Sequence, residues 1–499
     1  MQKNIHLNYI KKIQTLLQSN SPFLIQNYIN GELTASSNEE YLDNFNPSNG
    51  LIYSHCPNSN QTDVQLAVDA ATSACPLWKN LPAENKFIIL NRIAELIDIY
   101  NDELALAESS DQGKPIWLAK NEIKRAAQNF RFYATAAMQF SSEAHIMEES
   151  AINYTIRQPI GIVGCISPWN LPLYLFSWKI APALAAGNCV IAKPSEITPL
   201  TAFLLSEICI EAGLPKGVLN ILHGNGPVTG QAIIEHQQIK AISFTGGTST
   251  GKHIAATAAP MFKKLSLELG GKNPNIIFAD CDFEKMIKTT VNSSFLNQGE
   301  ICLCGSRIYV EKRIYDKFKT RFIDEVNQLK VGNPAESETK IGAIVSKQHY
   351  EKVLNCIARA EAEGGNILSG GKPKNILGLE NGWYIEPTVI EGLQNNCLTQ
   401  QEEIFGPVVT ITPFENEADA IEKANESIYG LAATIWTENL TKAHRVAGQI
   451  NSGIIWINCW LLRDLRTPFG GMKNSGVGRE GGWEAMRFFT EQKNVCIKL

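Results

Sequence analysis

Apolar side chains recur at a helical period over residues 84–101, at Phe87, Leu90, Ala94 and Ile97, and again over 122–138, at Ile123, Ala127, Phe130 and Ala134. Each stretch predicts a surface helix with one buried face. From residue 160 the texture changes to short apolar runs that end in Gly or Pro, at 160–166, 189–192, 219–222, 241–245 and 275–278. Helical stretches at 201–212 and 227–236 separate them, an alternation that predicts a parallel sheet with crossover helices. It restarts after residue 283, with helices at 284–295, 314–330, 346–363, 417–426 and 440–450 and strands at 308–310, 408–411, 431–436 and 454–458. A second α/β unit is expected, joined to the first near residues 269–274, where Leu-Gly-Gly-Lys-Asn-Pro supplies turn chemistry. Segments 152–156 and 494–499 read as strands that either extend the sheet of a neighbouring subunit or lie at an ordinary edge within one.

Length and composition narrow the class. A chain of 499 residues accommodates two to four domains, and 44% hydrophobic with 19% charged residues suits a folded soluble protein. The net charge of −5, with no long run of one sign, gives no pull toward nucleic acid or an anionic membrane, so small-molecule chemistry is the better expectation. The longest apolar stretch, 180–191, is cut by Pro182, Gly187 and Asn188 and falls short of the roughly 20 residues of a membrane helix. Residues 1–21 carry scattered Lys and Asn and no apolar core of a secretory signal, which implies a cytoplasmic protein. The twelve cysteines fall at irregular spacings without a Cys-x-x-Cys pair or zinc-site pattern, so they are expected reduced and no metal is expected.

Three segments carry candidate chemistry. Cys302 stands in Asn-Gln-Gly-Glu-Ile-Cys-Leu-Cys-Gly-Ser-Arg, between Gly299 and Gly305, whose backbone freedom permits a tight path that exposes a thiol. Alone, such a cysteine is more often a small packing residue. Glu268 is a lone carboxylate in an apolar strand, Leu-Ser-Leu-Glu-Leu-Gly-Gly-Lys, where burial would raise its pKa toward that of a general base; the bland alternative is an ion pair with Lys272 or Lys264. Asn170, in Ile-Ser-Pro-Trp-Asn-Leu-Pro, follows an apolar strand and offers a neutral donor to an oxyanion, or equally a cap for the next helix. A thiol, a base and an amide are the set needed to oxidise an aldehyde, because the tetrahedral adduct of a thiolate places a hydride on a carbon whose oxygen can expel it.

In this order and spacing the Pro-Trp-Asn, Glu-Leu-Gly-Gly-Lys and Gly-Glu-Ile-Cys segments resemble the aldehyde dehydrogenase superfamily. The resemblance runs nearly the whole chain, through Lys193-Pro-Ser-Glu196, Phe244-Thr-Gly-Gly247, Glu403-Ile-Phe405-Gly-Pro and Pro468-Phe-Gly-Gly-Met-Lys. It implies Cys302 as nucleophile, Glu268 as base, and Asn170 with the Cys302 amide as the oxyanion site. It further implies NAD as cofactor, with Lys193 and Glu196 at the adenosine ribose and Gly226 and Gly230 at the adenine. Phe244, Thr245, Gly246 and Gly247 would lie near the pyrophosphate and Glu403 and Phe405 at the nicotinamide ribose and ring, with Ile166, Ser167, Trp169, Ser195, Thr250 and Leu269 completing the set. A carboxylate at 196 accepts from ribose hydroxyls and repels a 2′-phosphate, which favours NAD over NADP. The fold implied is α/β: a Rossmann-type NAD-binding domain (1–137 and 158–269), a catalytic α/β domain (270–459) and a small β oligomerisation arm (138–157 and 483–499), with 460–482 returning to the cofactor domain. A homodimer or homotetramer is expected.

Within the superfamily, Gly-Glu-Ile-Cys-Leu-Cys and Trp456-Ile-Asn-Cys-Trp-Leu-Leu-Arg463-Asp-Leu-Arg466 look like the 2-aminomuconic and 2-hydroxymuconic semialdehyde dehydrogenases. An acidic substrate needs a cation, and Arg463 is the candidate fork; its alternative is a surface pair with Asp464. The relatives carry a second arginine where this chain has Lys120, which keeps the charge and loses the fork. Trp178 and Trp460 raise a competing betaine-type aldehyde, since aromatic faces attract a quaternary ammonium, but Arg463 and Lys120 would repel that cation. A CoA-acylating enzyme and a catalytically silent, cofactor-sensing protein are the remaining alternatives; Glu268 argues against the first and the intact triad against the second.

Overall fold

The computed structural model describes residues 8–19 and 21–499. Of segment 1–21, residues 1–7 and 20 lie outside the described residues, so the expectation of no secretory signal there falls in part beyond them. The helix Asn8–Leu17 buries Ile10 and Ile13, and the Glu207 carboxylate accepts from the amides of Asn8, Tyr9 and Ile10 at 3.0–3.1 Å, neutralising the positive end of that helix.

Two sheets organise the chain. The larger has eight strands in the order Gly476–Val477, Lys264–Glu268, Ile239–Thr245, Ile162–Ile166, Cys189–Lys193, Leu219–Ile221, Asn27–Ile29 and Glu32–Thr34. Its five central strands run parallel and are nearly all apolar and buried, as befits a sheet covered on both faces by helices. The chain passes from Ile162–Ile166 outward through Cys189–Lys193 to Leu219–Ile221, then returns to the other side of the first strand with Ile239–Thr245. The reversal leaves a crevice beyond the carboxyl ends of Ile162–Ile166 and Ile239–Thr245.

The second sheet orders Asn366–Ser369, Thr388–Glu391, Val408–Phe414, Arg307–Glu311, Pro274–Ile277, Ala432–Trp436 and Ile454–Ile457, and all but the first pairing are parallel. Separate apolar cores lie on its two faces, one around Phe295, Phe318 and Phe322 and the other around Phe278, Tyr309 and Phe414. The segment 152–156 falls in Ala151–Pro159, and all of 494–499 but its last residue falls in Thr490–Lys498; these two strands pair antiparallel with each other in the same chain, alongside Ala144–Met147.

Two elements depart from the sequence pattern. The second surface helix starts at Ile116, directly after Pro115, and runs to Gln139, because the fixed φ and missing N–H of proline suit the start of a helix. The helix expected at 227–236 is instead a wide turn, Gly226–Gly230, followed by the short helix Gln231–Glu235. The amide of Gln231 reaches back five residues to the Gly226 carbonyl, and Asn225 caps Val228 with its side chain. Among the described residues no helix is long and apolar enough to cross a membrane.

Candidate active site

The carboxyl ends of three adjacent parallel strands deliver the expected segments to one place. Ile162–Ile166 hands over to Ser167, Pro168, Trp169 and Asn170 before the helix Pro172–Ala185 begins with a proline in its first turn. Ile239–Thr245 ends at Gly246 and Gly247, ahead of the helix Thr248–Ala258. Lys264–Glu268 ends at Leu269 and Gly270, and Thr245 lies opposite Glu268 in register. The strand of Glu268 is also held on its far side, where Glu268 pairs with Gly476 and the Leu269 amide donates to the Ser475 carbonyl at 2.9 Å. A side chain at 476 is excluded there, since a Cβ would lie 2.0 Å from the Leu267 carbonyl and φ is +134°.

The thiol arrives from the opposite direction. After the helix Phe283–Phe295 the chain makes a tight turn in which Asn297 (φ 53°) and Gln298 (φ 57°) are both left-handed. Their side chains support that cost: Asn297 donates to the carbonyl of Asn170 at 3.1 Å, and Gln298 donates to the Ala343 carbonyl at 3.2 Å. Gly299 follows at φ +73°, where a Cβ would meet the Gly406 carbonyl at 2.1 Å. Asn273 then donates to the carbonyls of Cys302 (2.7 Å) and Cys304 (2.9 Å), fixing the backbone around the sulfur.

Between these parts is a cavity of about 240 Å³ lined by Pro168, Trp169, Asn170, Thr245, Gly246, Gly247, Leu269, Gly270, Cys302, His349, Lys352, Glu403 and Phe405. Its size suits the reacting end of a ligand, since drug-sized sites run from about 300 Å³ upward. Glu268 is set behind the wall, buried, and accepts from Thr245 Oγ1 at 3.3 Å. Neither alternative partner takes it: Lys264 donates to the Thr490 carbonyl and pairs with Glu491, and Lys272 is separately buried.

Burial dominates the electrostatics. It pushes the Glu268 carboxyl up to about 8, with the Glu480 carboxylate adding to the rise and the Lys179 cation opposing it. Lys179 Nζ is itself bound to Glu480 Oε1 at 2.7 Å and to Ser243 Oγ at 3.2 Å. The Cys302 thiol is driven well above its usual range by burial and then by the charges of Glu268 and Glu403. Both influences favour the protonated thiol, so a nearby base or an added positive charge is needed to release the proton. Asn170 is anchored three ways: its carbonyl accepts from Lys114 Nζ at 3.0 Å and from Asn297, and its amide donates to the Glu300 carbonyl at 2.9 Å. The buried Lys114 is charge-paired with Glu122.

The remaining expected cofactor residues lie along the same strand ends. Lys193 pairs with Glu196 at 3.1 Å, and against the upward push of burial Lys193 and the Gly226 amide hold the Glu196 carboxyl below its usual range. Ser195 is buried beside this pair in sequence, and Gly230 passes close to the Lys193 stem, 3.9 Å from where its Cβ would be. Ile166 stands level with Lys193 and Phe244 across the sheet, Phe244 packs its ring beneath Gly246, and Thr250 is exposed in the first turn of its helix. Glu403 accepts from the Gly271 amide at 2.9 Å, and burial pushes its carboxyl up to about 7. A Cβ at Gly270 would lie 2.2 Å from that carboxylate. Phe405 is left-handed (φ 63°), and His349 Nε2 bonds its carbonyl at 2.6 Å while packing edge-on to Trp169.

These residues fit a dinucleotide. Ser167 Oγ is buried without a partner, open space lies where side chains at Gly226 and Gly247 would be, and the helix Thr248–Ala258 begins without a side-chain cap, leaving its first amides free for an anion. Of the substrate candidates, Arg463 is drawn inward: Nη1 donates to Tyr174 Oη at 3.2 Å, and its guanidinium lies over Trp178 and Phe469. Its expected competitor Asp464 pairs with Arg466 instead. Trp178 is buried beneath Arg463, and Trp460 donates to the Leu303 carbonyl at 3.0 Å. Lys120 is not brought to the site, and the expectation that it holds substrate is corrected: it pairs with Asp102 at 2.8 Å, with its side chain 45% exposed. Sequence reasoning missed His349 and Lys352, whose i,i+3 spacing on the helix Lys347–Ala362 was the one available signal, and Lys114, Lys179, Asn297 and Glu480, which had none.

The chain is similar to known proteins over nearly its whole length. The aldehyde dehydrogenase family pattern matches residues 33–495. Human 2-aminomuconic semialdehyde dehydrogenase is 47% identical over 485 residues, covering 96% of this chain and 99% of that protein. The 2-hydroxymuconic semialdehyde dehydrogenase of Pseudomonas sp. (strain CF600) is 44% identical, covering 95% and 99%. Among solved structures, the NAD+ complex of an aldehyde dehydrogenase from Bacillus cereus superposes with a TM-score of 0.94 at 37% identity, covering 98% of each chain.

Proposed function

The chain belongs to the aldehyde dehydrogenase family, and from that premise we propose that it oxidises an acid semialdehyde of the 2-aminomuconic or 2-hydroxymuconic kind to the dicarboxylic acid, with Cys302 as nucleophile and NAD as hydride acceptor. The observation that carries the reaction is the meeting of Cys302 and Asn170 in one cavity with the Glu268 carboxylate acting on the same thiol. Glu268, ionised, takes the thiol proton as the sulfur bonds to the aldehyde carbon. The developing oxyanion lies between the Asn170 amide and the Cys302 N–H, donors that act in a water-poor site. NAD held by Glu403, Phe405, Gly246 and Gly247 would supply the acceptor for the hydride and a positive charge that favours the thiolate. Collapse of the oxyanion expels the hydride and leaves a thioester on Cys302. Glu268 then removes a proton from water, which adds to the thioester carbon, and the thiolate departs as the acid forms.

The same reading gives the other residues their work. Glu403 and Phe405 hold the nicotinamide end, and Gly246, Gly247 and the helix start at Thr248 hold the pyrophosphate. Lys193 and Glu196 take the adenosine ribose. Arg463 takes a substrate carboxylate, which its lack of an ion pair among the described residues supports. The domain division at residues 269 and 270, a homodimeric or homotetrameric state with 138–157 and 483–499 as the arm, and a cytoplasmic setting belong to the same proposal. NADH formation with a carboxylated semialdehyde, set against a neutral aldehyde of equal length, tests it. Preference for the acid, abolished together with all turnover in Cys302→Ala while NAD still binds, is expected; turnover by Cys302→Ala would overturn the mechanism.

A further inference from the structure

Helix Gln61–Asn80 crosses one face of the large sheet, packed on the strands Ile162–Ile166, Cys189–Lys193 and Leu219–Ile221. It buries Val64, Ala67, Val68, Ala71, Ala74 and Trp78, a stripe at helical spacing, and Trp78 Nε1 donates to the Leu184 carbonyl at 3.1 Å. Cys75 stands at the margin of that stripe, packed against the core yet partly exposed. Facing it, Cys189 is fully buried and firmly placed. Its amide donates to the Gly161 carbonyl at 2.9 Å, and Asn188 before it bonds the Gly161 amide (3.0 Å) and the carbonyls of Ala183 (3.1 Å) and Phe489 (2.9 Å). The two side chains meet, the Cys189 thiol donating to the Cys75 sulfur. That bond brings the Cys75 thiol below its ordinary range against the opposing effect of partial burial, with the Lys79 cation one turn on assisting; the same bond, with burial, keeps the proton on Cys189. Cys302, Cys304, Cys165 and Cys209 are all pushed the other way by burial.

We propose that Cys75 and Cys189 are a modification site outside the catalytic cavity, a thiol pair that small disulfides of the oxidised-glutathione class convert to an intramolecular disulfide. The thiolate is the attacking species, and Cys75 combines that form with access from solvent. Its sulfur attacks one sulfur of the small disulfide, the S–S bond there breaks, and one small thiolate leaves. The Cys189 sulfur then attacks the Cys75 sulfur of the mixed disulfide and expels the second small thiolate. Two protein thiols lose two electrons, the small disulfide gains them, and the two protons end on the two small thiols, so no other oxidant is required. The buried partner is already in contact with the sulfur it must attack, which favours closure of the pair over accumulation of the mixed disulfide. In a reducing compartment the bond forms only when the small-disulfide pool rises. Once formed it ties the outer helix to the first residue of a strand that is paired on both sides, and it shortens the freedom of the unfolded chain by closing a loop of roughly a hundred residues.

The pairing does not depend on which aldehyde is oxidised, and peptide mapping tests it directly. Full-length enzyme incubated with oxidised glutathione, blocked with N-ethylmaleimide in denaturant and digested without reduction is expected to give a cross-linked peptide pair carrying residues 75 and 189, lost on treatment with dithiothreitol. The apparent Tm of the oxidised enzyme should rise by about 2–5 °C, the effect of closing a loop of that length in a chain of this size, and return on reduction. In Cys189→Ala the reaction should stop with glutathione on Cys75 and no rise in Tm. In Cys75→Ala the buried Cys189 should stay unmodified, while turnover of the reduced variant remains within about twofold of the unaltered enzyme. Should Cys189→Ala fail to fold, Cys189→Val fills the space left by the thiol and serves in its place, and the map of the unaltered enzyme decides the matter without either variant. Oxidised enzyme in which Cys75 carries only glutathione, is joined to some other cysteine, or is left unmodified overturns the pairing.

Discussion

Replacing Glu480 by glutamine tests whether the base is tuned by its buried neighbours. Glu480 is paired with Lys179 at 2.7 Å and raises the Glu268 carboxyl beyond what burial alone does. Like charges about 4 Å apart, at an effective dielectric of about 20, repel by about 4 kcal/mol, or about three pH units. Lys179 already offsets part of that field, so a shift of about one unit is the working expectation. Glu268 takes up its proton more readily because Glu480 is charged; with that charge gone it ionises at lower pH, and Lys179, released from its partner, pushes the same way. The acid limb of the kcat profile, read under conditions where thioester hydrolysis limits turnover, should therefore move to lower pH by about one unit. Breaking a buried pair costs about 3–5 kcal/mol, so the variant must be assayed well below its melting point, with the double variant Glu480→Gln and Lys179→Met as the charge-neutral control. A limb that stays put, or moves to higher pH, would refute the coupling of the two carboxyls.

Two further outcomes are expected. Asn170→Ala should reduce kcat by about 10²- to 10³-fold with little change in NAD affinity, because the amide acts only on the oxyanion; steady-state kinetics beside NAD titration check this, and an equal loss in cofactor binding would move Asn170 to another role. Glu196→Gln should improve kcat/KM for NADP relative to NAD by about tenfold, since the repulsion of a 2′-phosphate is removed while Lys193 remains 3.1 Å from the side chain's former position. An unchanged cofactor ratio would show that Glu196 does not face the ribose.

The parts of this protein that could be read from sequence are those whose signal is local. Strand ends marked by glycine, such as Thr245-Gly246-Gly247 and Leu269-Gly270, announce where a sheet opens, and the fold follows the strand and helix alternation closely. The helix Pro172–Ala185 gives no amphipathic pattern because every one of its residues is buried, so only its end was noticed, within the apolar stretch 180–191, and not the wall against which Arg463 is set. Lys179 and Glu480 are 301 positions apart, and no spacing rule connects them. Lys120 was the reverse case: the residue type suits an acid, but direction around a helix decides reach, and here the side chain turns to Asp102. The left-handed pair Asn297–Gln298 is invisible for a different reason, since nothing in an Asn-Gln dipeptide demands that geometry; the contacts to Asn170 and Ala343 impose it.

The strand bearing Glu268 is finished only by Gly476 and Val477, which add to its open edge from the far end of the polypeptide. The five parallel strands pair with one another without those residues, yet the general base would then sit on a raw margin, without Glu480 behind it. Reactivity thus depends on a late segment that the parallel strands themselves do not need in order to pair.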